Sequence, residues 1–300
     1  MTAQYRILIL GHGEMGQAMQ YLLHAHQQLD IWEKFPPDNF QSIDLEEAAP
    51  SADVVLFCLP VNPHREIVDI LAPLLKHNCL CVSIAKGLDE AGQTAAQIFA
   101  AGLAENQPYA LLYGPMISEE IRAGRFAFAQ LACNQDEAYN KIKNIFYDTR
   151  LFIEHSDDIT GISWSVILKN VYALVFGMAD ELQLGDNMRG YLAVAALREL
   201  DQIVRSMGGQ TGSPYHLAGL GDLITTATSE DSHHHALGRM LARGETQGIT
   251  GEGIHTLEMV TKYRLFNTSD YPLFQLIHNI VKQPQDVHKK IEAYLNLVYS

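Results

Sequence analysis

Lys169 and Asn170 lie in the middle of residues 162–180, a run in which nearly every other residue is apolar. A helix that is apolar around its whole circumference is one buried among other helices, so a lysine in its centre needs a chemical reason. One helical turn to either side brings Ser165, Val166, Tyr172 and Ala173. None is a carboxylate, so desolvation favours the neutral amine and equips Lys169 to accept a proton near neutral pH. The competing structural readings are a lysine paired with a distant acid, one that snorkels to water along its stem, and a membrane span of about 20 residues. A central Lys-Asn pair is costly in lipid, which opposes the last. Two further residues stand where chemistry is done. Lys86 follows a strand in Ser83-Ile84-Ala85-Lys86-Gly87, and Asp222 sits in Gly219-Leu220-Gly221-Asp222-Leu223, where a helix N-cap is the alternative role.

The elements that must position these residues divide into two kinds. Residues 5–10 form a β-branched and leucine-rich strand that stops at Gly11-His12-Gly13-Glu14-Met15-Gly16, and residues 17–26 are helix-forming. Strand, G-x-G-x-x-G and helix in that order form the dinucleotide fingerprint: the glycines permit the turn and a close approach to pyrophosphate, which the helix N-terminus binds. A second strand, residues 29–32, ends at Glu33, about 20 residues on, where a carboxylate accepts from the ribose hydroxyls and repels a 2′-phosphate. NAD is therefore expected over NADP, with Lys34 softening the preference; a solvated turn residue is the bland alternative for Glu33. Residues 52–60 form a continuous apolar strand ending at Pro60, and further strands are expected at 80–84, 109–113, 128–133 and 151–154, with helices between them. Such alternation predicts an α/β, Rossmann-like doubly wound sheet. Beyond about residue 156 the strand signals cease, and helical runs at 160–184, 188–207, 235–242, 253–263 and 272–281 predict an all-α domain. The expected division is a dinucleotide-binding domain over residues 1–155 and a helical substrate and dimerisation domain over residues 156–300.

Composition sets the outer limits. The chain has 300 residues, 47% of them hydrophobic and 19% charged, enough for two substantial cores. A net charge of -14 with no local basic cluster opposes binding to nucleic acid or anionic membranes. Cys58, Cys79, Cys81 and Cys133 lie in apolar runs without metal-ligand spacing, as packing residues in a reducing compartment do. With no secretory signal at the N-terminus, a cytoplasmic location and no metal are expected.

Together these motifs resemble the bacterial-type NAD(P)-dependent glycerol-3-phosphate dehydrogenases, which combine an N-terminal Rossmann domain with an all-helical C-terminal domain like that of 6-phosphogluconate dehydrogenase. The likeness is carried by the Gly11–Gly16 fingerprint, Ala85-Lys86-Gly87-Leu88, Gly114-Pro115, Leu168-Lys169-Asn170-Val171 with Gly177, Asp180, Gly185 and Asn187, Gly219-Leu220-Gly221-Asp222-Leu223 with Thr226 and Ser229, and Gly251-Glu252-Gly253. It implies Lys169 as proton acceptor, Lys86 as a lysine near substrate and nicotinamide, and Asp222 as an active-site acid. Substrate contacts are implied for Lys86, Gly114, Asp222, Ser232, His233 and His234. Cofactor contacts are implied for Gly11, Gly13, Glu14, Met15, Gly16, Glu33, Lys34, Pro60, Lys86, Ser118, His233 and Glu252. The partner implied is a small phosphorylated triose, and the assembly a homodimer.

The departures from this pattern fall on the substrate grip. Where the family has Ser-Arg-Asn, the chain has Ser232-His233-His234, followed by His235; where it has Gly-Pro-Ser-Phe-Ala-Lys-Glu, the chain has Gly114-Pro115-Met116-Ile117-Ser118-Glu119-Glu120. Glu14 and Met15 replace a usual serine and aromatic residue. Arginine offers phosphate a bidentate, permanently charged fork; histidine offers one or two donors and is mostly neutral at pH 7. His233 and His234, helped by Arg239, would grip phosphate more weakly. The alternatives are hydride chemistry on another 2-hydroxy or 2-keto substrate, and a catalytically silent redox sensor. Three successive helical histidines point about 100° apart and do not converge on a metal.

Overall fold

The computed structural model describes residues 4–229 and 232–300. The chain divides into two compact units, one of residues 1–89 and 93–159, the other of residues 90–92 and 160–300.

The first unit is built on seven strands: β1 (Arg6–Leu10), β2 (Gln28–Trp32), β3 (Val54–Phe57), β4 (Leu80–Ser83), β5 (Tyr109–Tyr113), β6 (Ala127–Cys133) and β7 (Leu151–Ser156). Their order across the sheet is β2-β1-β3-β4-β5-β6-β7. The first five are parallel, β6 is antiparallel to β5, and β7 is parallel to β6. Alternation along β1 sends Ile7 and Ile9 into one apolar layer and Leu8 and Leu10 into the other, and all four are fully buried. A strand buried on both faces is near-continuously apolar, which is why β1, β3 and β4 read as apolar runs, with Arg6 and Ser83 only at strand ends. One layer is covered by helices α1 (Glu14–Leu23), α5 (Ser118–Arg122) and α6 (Asp136–Ile145), the other by α2 (Leu45–Ala48), α3 (His64–Leu71) and α4 (Ala95–Gly102). Because β2 lies on one side of β1 and β3 on the other, the turn after β1 stands at the topological switch point, where open α/β sheets bind ligands.

The second unit is helical among the described residues: α7 (Ile159–Glu181), α8 (Gly185–Ser206), α9 (Asp222–Thr228), α10 (His233–Ala242), α11 (Glu252–Tyr263), α12 (Pro272–Lys282) and α13 (Val287–Tyr299), with a π-helical turn at Leu217–Gly221. The expected α/β-plus-all-α architecture is thus the observed one. Helix α7 is long and apolar enough to cross a membrane, yet residues 161–179 are all buried within the protein. Its neighbours are held by polar keystones. Tyr172 Oη donates to Glu199 Oε2 at 2.9 Å, and the same carboxylate accepts the Leu273 and Phe274 N–H groups at 2.6 and 2.9 Å, capping α12 from a distance. Burial pushes the Glu199 carboxyl up from its usual range, against those hydrogen bonds. Helices α7 and α10 cross backbone to backbone. A Cβ on Gly177 would stand 2.0 Å from the His235 carbonyl oxygen, and one on Gly238 2.1 Å from that of Leu174.

Several boundaries differ from expectation for local reasons. Helix α10 begins at His233 rather than His235 because Ser232 Oγ accepts from the His235 N–H. A capping box formed by Thr94 and Gln97 sets the start of α4 at Ala95. Helices α5 and α13 are additional to those expected. Asp222 is not a side-chain N-cap: it is the first residue of α9, and its carboxylate is engaged elsewhere.

Candidate active site

In the helical unit, Lys169 is 4% exposed and Asp222 3%. Lys169 Nζ lies 3.1 Å from Asp222 Oδ2 and donates to Thr226 Oγ1 at 2.6 Å; the Thr226 hydroxyl donates in turn to the Asp222 carbonyl oxygen at 2.7 Å. Asp222 and Thr226 are four residues apart on α9 and so share a face, which the helix turns toward the centre of α7. The distant acid is thus Asp222, and the pairing does not exclude a proton-transfer role. A carboxylate beside a buried amine compensates the ammonium when the proton is on, and Thr226 aims the nitrogen.

Asn170, 1% exposed, donates through Nδ2 to Glu252 Oε2 at 2.9 Å, while its Oδ1 has no hydrogen-bonding partner among the described residues. Glu252 opens α11, whose next residue, Gly253, packs on the α7 backbone so closely that a Cβ would lie 2.6 Å from the Asn170 carbonyl oxygen. The three histidines diverge as helical geometry requires. His233 Nε2 donates to the Thr250 carbonyl at 2.8 Å, His234 Nε2 accepts the Gly253 N–H at 3.3 Å, and His235 Nε2 meets Asp180 Oδ2 at 2.7 Å. Among the described residues no group of three or more His, Cys, Asp or Glu side chains is arranged to hold a metal. Burial pushes the Asp180 carboxyl up, but hydrogen bonds from Arg189 and His235 outweigh it and hold the group below the usual range. Arg239 lines a cavity of about 400 Å³ together with His235, Asp180, Arg189 and Phe176.

In the sheet unit, Gly11 has φ +90°, and a Cβ there would strike Leu59 at 2.6 Å; on Gly16 it would stand 2.0 Å from the Gly11 carbonyl oxygen. On Gly13 it would meet nothing within 4 Å, and no side chain caps the N-terminus of α1. An open backbone loop leading into an uncapped helix is what a dinucleotide pyrophosphate requires, so the residues fit that group. Glu33, just beyond the end of β2, accepts the His12 N–H at 2.7 Å and the Phe35 N–H at 3.2 Å, which fixes its carboxylate beside the fingerprint loop. Lys34 is paired with Glu66 at 3.0 Å. Glu14 is in an ion pair with Arg122 of α5, and the Ser118 hydroxyl reaches it at 3.5 Å while donating to Glu119 at 2.9 Å. Met15, partly buried, packs against the core. Lys86 Nζ donates to the Gly114 carbonyl oxygen at 3.2 Å, joining the turns after β4 and β5.

The N-terminal model of the NAD-dependent glycerol-3-phosphate dehydrogenases matches residues 33–139, and the C-terminal model matches residues 158–292. A glycerol-3-phosphate dehydrogenase (NAD(P)+) of Fusobacterium nucleatum is 30% identical over 86% of this chain and 83% of its own; one from Deinococcus radiodurans is 33% identical over 82% and 74%. This chain belongs to the NAD-dependent glycerol-3-phosphate dehydrogenase family. The fold agrees: a glycerol-3-phosphate dehydrogenase of Coxiella burnetii superposes with a TM-score of 0.83, at 23% identity, over 97% of this chain and 99% of that one. The motifs alone give Thr226 no role, although its spacing of four from Asp222 signals a shared helix face.

Proposed function

We propose that this protein interconverts dihydroxyacetone phosphate and sn-glycerol 3-phosphate with a nicotinamide dinucleotide, Lys169 transferring the proton. The observation that carries the proposal is a buried lysine held by Asp222 and Thr226 in a chain of this family. When bound, the nicotinamide supplies or accepts the hydride at C2 of the substrate. In the reducing direction Lys169 Nζ gives a proton to the C2 oxygen; in the oxidising direction it takes the hydroxyl proton from the same atom. Asp222 compensates the ammonium, and Lys86 provides a cation near the substrate. Gly11, Gly13 and Gly16 hold the pyrophosphate, and Glu33 receives the ribose hydroxyls, favouring NAD over NADP. To the substrate we assign Gly114, Ser232, His233 and His234, and to the cofactor Glu14, Met15, Lys34, Pro60, Ser118, His233 and Glu252. The names of the relatives favour this pair of substrates over another hydroxy or keto compound, and over a silent sensor. We take the enzyme to be a cytoplasmic homodimer formed partly by its helical unit, which sedimentation velocity checks.

The deciding assay follows NADH oxidation with dihydroxyacetone phosphate. Turnover is expected with the native chain and a loss of about 10²- to 10⁴-fold in kcat for Lys169→Met, with circular dichroism confirming that the variant folds. Absence of turnover with both NADH and NADPH would overturn the proposal.

A further inference from the structure

His64 is wholly buried and has no part in the reaction above. It is the first residue of α3, its ring 4.9 Å from that of Phe57 and 5.9 Å from that of Phe99. Its Nδ1 is 2.9 Å from the Pro60 carbonyl oxygen. A carbonyl only accepts, so Nδ1 carries the hydrogen and Nε2 of the neutral ring is an acceptor. Nε2 lies 2.9 Å from Ser83 Oγ, whose hydroxyl therefore donates to it, and the same oxygen accepts the Ala85 N–H at 3.2 Å. The Ala85 carbonyl accepts from Tyr113 Oη at 2.9 Å, and the next residue is Lys86. Every bond in this chain has a settled direction. Together they join the carboxyl ends of β3, β4 and β5, and the links converge on the backbone that carries Lys86.

A phenylalanine would fill the same space between Phe57 and Phe99 without needing two hydrogen-bond partners. We infer that His64 is a positioning residue: through Ser83 and Ala85 it fixes the turn after β4, and so the placement of the Lys86 ammonium, relative to the turn at Pro60. This rests on Lys86 acting near the substrate, as proposed above. A displacement of about 1 Å in a group that orients substrate costs on the order of 10²-fold in rate, so a turn at a sheet edge gains from such a brace.

The test compares His64→Phe and Ser83→Ala in the native background and in Lys86→Ala, by steady-state kinetics with NADH and dihydroxyacetone phosphate. In the native background each is expected to lower kcat about 10- to 100-fold. In the Lys86→Ala background, already impaired, neither should add a further loss. Equal losses in both backgrounds would show a merely structural role and overturn the inference. Lys86→Ala with undiminished turnover would overturn the role of Lys86 itself, and this inference with it; that single variant tells the two failures apart. If His64→Phe does not fold, Ser83→Ala, which removes one hydroxyl, carries the same comparison.

Discussion

At Lys169 two effects oppose each other. Burial disfavours the ammonium, and Asp222 at 3.1 Å favours it. An unpaired buried charge is costly enough that removing one partner of such a pair typically loses about 3–5 kcal/mol, so the pair is also structural. Thr226 separates the two roles, because its hydroxyl touches the lysine nitrogen without carrying charge. Thr226→Val keeps the shape and removes a hydrogen bond to a charged group, worth about 1.5–3 kcal/mol. Steady-state kinetics should show kcat lowered about 10- to 100-fold with KM for dihydroxyacetone phosphate little changed; a change confined to KM would mean that Thr226 serves binding instead. His233 is less well equipped than the arginine it replaces. Its Nε2–H is committed to the Thr250 carbonyl, so the neutral ring has no second N–H for a phosphate.

Among the elements, α7 is the axis of the helical unit, and its crossing with α10 decides where the three histidines stand. Gly177 and Gly238 let the two backbones touch, and a Cβ on either would meet a carbonyl oxygen near 2 Å, a contact that no rotamer relieves. Alanine gains about 1 kcal/mol of helix propensity over glycine, whereas forced overpacking costs typically 1–3 kcal/mol and occasionally more. A clash with backbone belongs at the upper end of that range, so Gly238→Ala should destabilise by about 2 kcal/mol. Thermal denaturation would show this as a lowered Tm. An unchanged or raised Tm would mean that the crossing widens freely. Because α10 carries His233 and His234, this variant should also disturb the contacts to Thr250 and Gly253.

For the whole molecule, stability toward acid depends on groups held in the wrong protonation state for water. Burial lowers His64 from its ordinary value to about 4, against the Pro60 hydrogen bond and the charge of Asp89, which raise it. In the unfolded chain this ring takes a proton near pH 6.5, whereas in the folded protein it does so only near pH 4. The stability it contributes is therefore complete above about pH 6.5 and is lost as the pH falls toward 4. The difference amounts to about 3 kcal/mol at 1.36 kcal/mol per pH unit. Urea denaturation at pH 7 and pH 4 should show the native chain losing about that much more stability than His64→Phe over the interval. Equal losses in the two proteins would show that His64 protonates without cost. Burial also raises the thiols of Cys58 and Cys79 to about 12, which suits packing residues.

The sequence by itself determined the sheet, the fingerprint turn and the anomaly at Lys169, because these depend on local pattern. Strands covered on both faces are near-continuously apolar, G-x-G-x-x-G between a strand and a helix marks the turn, and a lysine amid apolar residues is visible without coordinates. Divergence of the three histidines was likewise fixed by helical geometry. The buried residues of α13, Val287, Ile291 and Tyr294, also follow helical spacing. Only the tertiary structure decided the partners. Thr226 lies 57 positions from Lys169, and Glu252 lies 82 from Asn170. The bonds from His64 to Ser83 and from Tyr113 to Ala85 join different strand ends. Contacts of this kind leave no periodic trace, since they depend on which helix face or strand end meets another. The local pattern therefore marks the lysine as exceptional, and the packing of α9 against α7 assigns it an acid.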